Sequence, residues 1–127
     1  MKAPLTTFLP AFSLLLWSIQ SPGQETNRQK IIGTWTISKI EFLRSNPDSL
    51  SMVNNAKWMV LTFTEDKVTL KSKFDSTITR TSDYAISADG STLTHNGATA
   101  TIAKLTDEEL VLNMAKEGVI EHLKKVH

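Results

Sequence analysis

The chain has 127 residues, 14 Lys and Arg against 13 Asp and Glu, three His and no Cys. Without cysteine there is no disulfide framework, no thiolate nucleophile and no cysteine-ligated zinc, so a hydrophobic core has to hold the fold. The near-neutral charge and the absence of a basic run argue against a nucleic-acid partner, whose phosphates are bound by excess Lys and Arg.

Residues 1–23 read as a secretory signal peptide. Lys2 supplies the positive start, Ala11 to Ile19 an apolar stretch, and Ser21 and Gly23 small residues ahead of a cut before Gln24. The apolar stretch is shorter than the ~20 residues that span a bilayer and is flanked by Pro10 and Gln20. No membrane anchor is therefore expected after cleavage, and with no cysteine there is no lipidation at the new N-terminus. The expected location is the bacterial periplasm or the medium. Removing Lys2 leaves 13 basic residues, equal to the 13 acidic ones, in a single domain over residues 24–127.

Thr26 to Ile32 suits a short helix ended by Gly33. Short β segments then follow in succession. Thr34 to Phe42 is β-branched and aromatic, but Trp35 and Ile37 share one parity while Ile40 and Phe42 share the other. Both pairs can face one side only if a β-bulge adds a residue near Ser38 or Lys39. Arg44 to Ala56 is the one long connection; its Leu50, Met52 and Val53 either serve a functional loop or plug a sheet end.

Lys57 to Thr64 places Met59, Leu61 and Phe63 on one face, with Trp58 opening the strand. Glu65-Asp66 turns into Lys67 to Phe74, with Val68, Leu70 and Phe74 alternating with polar residues. Thr77 to Ser87 carries Ile78, Arg80, Tyr84 and Ile86 in one parity. Asp89-Gly90 precedes Thr92 to His95, and Asn96-Gly97 is a strong hairpin signal before Ala98 to Leu105. Glu109 to Ala115 aligns Leu110, Leu112 and Met114, and Gly118 leads into Val119 to Val126. Such alternation marks antiparallel sheet with one buried face. Eight strands result, and no late return connection is long enough for a Greek-key sandwich. An eight-stranded up-and-down barrel is therefore expected.

The short helix running into Gly33-Thr34-Trp35 resembles the G-x-W entry of lipocalins. So does the long first connection, and the segment from Lys104 to Leu112 is similar to small bacterial lipocalin-like domains. The resemblance implies an all-β barrel plugged at one end by Trp35, with Arg44 to Ala56 as a lid at the other. It is shorter than the usual lipocalin and has no C-terminal Arg to cover the tryptophan, so Lys124 or Lys125 has to supply the cation, and Lys124 is assigned with Trp35 to the plug.

Hydrolase signatures (G-x-S-x-G, H-E-x-x-H) are missing, and His122 and His127 fall on opposite faces of a strand, which argues against a two-histidine metal site. No cofactor is expected. The leading expectation is a non-enzymatic carrier of a small apolar or amphipathic ligand. Ile37, Leu50, Met52, Trp58, Leu61, Phe63, Leu70, Arg80, Tyr84, Ile86, His95 and Leu112 are the candidate ligand-binding residues. Arg80 and His95 are each open to a second reading, as an outward or rim residue. Trp58 stands either at the mouth or in a partner contact, and Tyr84 either in the core or against ligand. The competing expectation is a solid barrel that acts as a protein-interaction module; an enzyme built on Arg80, Tyr84 or His95 lacks any motif. A cavity of roughly 300 Å³ or more separates the carrier from the solid barrel.

Overall fold

The structure is a computed structural model and describes residues 22–75 and 77–127; residues 1–21 of the expected signal segment (1–23) lie outside the described residues. Helix α1 (Pro22–Ile31) leads into β1 (Gly33–Phe42), and helix α2 (Ser49–Ala56) precedes β2 (Met59–Phe63). Then come β3 (Lys67–Ser72), β4 (Thr79–Ile86), β5 (Thr92–His95), β6 (Ala98–Leu105) and β7 (Glu109–Met114), and a 3₁₀ turn before β8 (Val119–Val126). Each strand pairs antiparallel with the next, and β8 pairs with β1, so the eight strands close into an up-and-down barrel. Closure leaves no edge strand to template aggregation.

The bulge expected in β1 is present. Ile37 faces Leu123 and Lys39 faces His122, so Ser38 is the extra residue against β8. It inverts the parity: Trp35 and Ile37 point inward before it, and Ile40 and Phe42, opposite Glu121 and Val119, point inward after it. A second bulge, at Ala103, lets Ile102 and Leu105 of β6 both face Leu112 and Leu110 of β7. On the outer face the alternate positions are largely threonine and charged residues, with cross-strand hydroxyl contacts at Thr34–Thr62, Thr69–Thr81 and Thr94–Thr99.

The core fills one end of the barrel. Trp35, Ile31, Leu93, Leu110 and Leu123 are fully enclosed, and Phe63, Val68, Tyr84, Ile86, Ala100 and Leu112 complete the cluster. The α1 helix closes this end. Its last residue packs Ile31 into the core and accepts the Trp35 indole N–H on its carbonyl at 2.8 Å. Asn27 donates to the Gly90 carbonyl at 2.6 Å and ties the helix to the turn before β5. In that turn Ser87 and Ser91 donate to the Asp89 carboxylate, which holds its pKa down at about 2.

The cation over Trp35 is Lys125 and not Lys124. Leu123 and Lys125 share the inward parity of β8, whereas Lys124 pairs with Thr36 and Glu109 on the outer face. The Lys125 ammonium lies 5.2 Å from the indole centroid and donates to the Lys30 carbonyl at 3.0 Å. Gly33 makes room for it: with φ at 139°, a Cβ there would stand 2.7 Å from Lys125 Cε. The glycine of the G-x-W pattern thus clears the path by which the lysine reaches the tryptophan. Lys125→Ala is expected to destabilise the domain by about 1–2 kcal/mol, from the lost cation–π contact and hydrogen bond. Lys124→Ala should stay within about 0.5 kcal/mol of wild type. Urea unfolding of the two variants checks this, and equal losses would contradict the assignment.

Candidate functional site

The other end of the barrel is open. Along β1, β2 and β3 the inward positions nearest this end, Ile40, Met59, Leu61 and Leu70, are partly exposed rather than sealed, because no second plug sits above them. Instead the β1–β2 connection folds as α2, which crosses the mouth. It turns Met52, Val53 and Ala56 toward the barrel, with Ala56 buried, and leaves Leu50 73% exposed. Below α2 lies a cavity of about 340 Å³ lined by Ile37, Ile40, Met52, Ala56, Met59, Leu61, Leu70, His95, Met114 and Glu121. Leu70 and His95 also border an adjoining cleft of about 430 Å³ that continues past Arg80, Thr81, Ser82 and Asn96. The site is an apolar chamber open at the barrel mouth and bordered on one side by a more polar cleft.

Five of the residues expected at a ligand site meet in this chamber: Ile37, Met52, Leu61, Leu70 and His95. His95 is exposed at the rim, beside the Asn96-Gly97 turn whose two residues both have positive φ, as a two-residue hairpin requires. Arg80 stands opposite Leu70 on the inward parity of β4 but is exposed, and it lines the outer cleft rather than the chamber.

Six of the expected residues lie elsewhere. Phe63, Tyr84, Ile86 and Leu112 are buried in the closed-end core, because an eight-stranded barrel is narrow enough for large side chains to fill it completely. Tyr84 also donates its hydroxyl to the Thr64 carbonyl, and its ring meets Phe63 edge-on at 5.1 Å. Leu50 faces solvent on α2. Trp58 precedes β2 with the parity opposite to Met59 and Leu61, so its ring lies outside the barrel against Phe74, at 4.0 Å.

The sequence reading missed Ile40, Ala56, Met59, Met114 and Glu121 as lining residues. The parity arguments already carried three of them. Ile40 follows from the bulge, and Met59 and Met114 share a face with Leu61 and Leu112; Glu121 shares the inward parity of Val119 and Leu123 in β8. The side chain of Glu121 is desolvated by its surroundings, which raises its pKa above the usual carboxylate value.

Among the described residues no group of three His, Asp or Glu is placed to hold a metal ion. The family model described as a lipocalin-like domain matches residues 31–112, from the end of α1 into β7. Two crystal structures are similar in fold, each at 12% identity and each covering 76% of this chain and 99% of its own. One is a lipocalin-like protein from Bacteroides uniformis ATCC 8492, with a TM-score of 0.56. The other is an uncharacterized protein from Bacteroides eggerthii DSM 20697, with a TM-score of 0.54. No curated protein matches the chain.

Proposed function

The chain belongs to the lipocalin-like domain family, and on that premise we propose that it is an exported, non-enzymatic carrier of a small apolar or amphipathic molecule. The observation that carries this reading is the cavity of about 340 Å³ at the open end, within the size range of small-molecule sites and bordered mostly by apolar side chains. A ligand would enter between α2 and the β5–β6 turn, bury its apolar body against Ile37, Leu61, Leu70 and Met114, and leave a polar end toward the cleft at Arg80. Export is supported by the apolar stretch from Ala11 to Ile19 behind Lys2.

Calorimetric titration with straight-chain alcohols tests the carrier reading. Each added methylene should tighten binding by about 0.8 kcal/mol, roughly fourfold, until the chain outgrows the cavity and affinity levels off. Leu61→Trp, which fills the chamber, should abolish the heat while leaving the fold intact. The solid-barrel module is favoured by the exposed Trp58–Phe74 pair, 42% and 72% accessible. Absence of binding across the alcohol series, with the protein folded, would decide for that alternative.

A further inference from the structure

Among the described residues Glu121 is the one acidic side chain that lines the chamber. It sits in β8 between Val119 and Leu123, which are 3% and 1% exposed, and its cross-strand neighbours are Ile40 and Leu112. Its carboxyl makes no hydrogen bond or ion pair with another described residue. The outer-face carboxylates differ: Glu41 meets Lys39 and His122, Asp83 meets Lys67, and Glu109 meets Lys104. Among the described residues the only other titratable side chain lining the chamber is His95, and Arg80 belongs to the adjoining cleft. Neither reaches the Glu121 carboxyl.

Glu121 is half-buried; a carboxyl partly withdrawn from water without a partner weakens the fold, and an apolar residue at the same place would pack against Ile40 and Leu112 without that loss. The group that best offsets such a desolvated acid is a cation with N–H donors, since charge-assisted hydrogen bonds are about twice as strong as neutral ones. Burial also holds the Glu121 pKa up, because desolvation disfavours the charged carboxylate.

We propose that Glu121 recognises the polar head of the ligand, and that the ligand is an amphipathic amine whose ammonium meets this carboxylate while its apolar body fills the chamber beneath α2. This rests on the carrier reading and deepens it by naming the ligand class. The apolar lining supplies affinity that any alkyl chain can use. The acid supplies the discrimination among head groups.

Titration of the whole folded domain with n-octylamine, n-octanol and octanoate at neutral pH tests the assignment. Wild type should bind octylamine at least tenfold tighter than octanol, and octanoate more weakly than either. In Glu121→Gln and Glu121→Met the amine preference should vanish, the ratio of amine to alcohol affinity falling to about one. The methionine variant, which removes the unpaired acid, should also melt at a higher temperature than wild type without ligand, so a folding defect would not mask the result. A structural role alone would change the melting temperature but not the ratio of amine to alcohol affinity. Equal affinity for amine and alcohol in wild type, a preference that survives both substitutions, or tightest binding by octanoate would overturn the proposal and leave the carrier reading standing. Failure of all three probes to bind would overturn both.

Discussion

Trp35→Ala is expected to lose about 3–5 kcal/mol of unfolding free energy, the range for truncating a large buried aromatic side chain. That is a large part of the 5–15 kcal/mol typical of a whole domain. The indole is fully enclosed at the closed end, and three separate attachments converge on it: the Ile31 carbonyl that accepts its N–H, the Lys125 ammonium over its face, and the surrounding core. Truncation opens a cavity, leaves the Ile31 carbonyl without that donor, and removes the surface against which α1 is docked. Trp35→Phe keeps most of the volume and loses the hydrogen bond, so it should recover about half of the loss. Urea unfolding followed by circular dichroism measures both. A loss under about 1 kcal/mol for Trp35→Ala would mean that the plug is held elsewhere.

Phe63→Ala is expected to cost a comparable amount, about 3–5 kcal/mol, and to do so as a core residue rather than as a ligand contact. Phe63 is 2% exposed and edge-on to Tyr84, whereas Leu61, two residues earlier on the same face, lines the chamber. A double-mutant cycle of Phe63→Leu with Tyr84→Leu should return a coupling of about 0.5–1.5 kcal/mol from the aromatic pair. Octanol affinity of folded Phe63→Leu should stay within about twofold of wild type, while Leu61→Ala should weaken it severalfold. The reverse pattern would move the chamber floor one layer deeper than the packing indicates.

The contrast between Leu61 and Phe63 also marks where the sequence stopped being informative. Period-two alternation identified the inward face of nearly every strand, and two incompatible parities in β1 required a bulge that the register contains at Ser38. Alternation says which side of the sheet a residue is on but not how far along the barrel axis it lies. Phe63, Tyr84, Ile86 and Leu112 are inward, and in that sense legible, yet they fall in the filled half. Axial position depends on strand tilt and stagger, which are properties of closure and are written in no single strand.

Other misplacements have local causes. The connection from Arg44 to Ala56 reads as a loop because Pro47 and several Asn and Ser interrupt it, yet Ser49–Ala56 is helical. Helicity so short depends on docking against the barrel rather than on intrinsic propensity. Once helical, the segment follows a 3.6-residue period, and Leu50 turns away while Met52 stays over the mouth. Lys124 and Lys125 differ only by parity, and counting inward from Leu123 separates them. Glu121 was equally countable, as an acid two residues from both Val119 and Leu123 on the inward face of β8.

The bulge at Ser38 has a further consequence, for how related sequences are compared. It makes the inward residues of β1 fall at spacings of two, three and two: Trp35, Ile37, Ile40 and Phe42. A comparison that treats the strand as an unbroken alternation will align Lys39 and Glu41 with apolar positions of a bulge-free relative and score the mouth as polar. The same strand, allowed one inserted residue, aligns Ile40 and Phe42 instead. Among barrels as divergent as 12% identity, that single insertion decides whether two mouths look alike, and chamber chemistry is best compared only after the bulge has been placed.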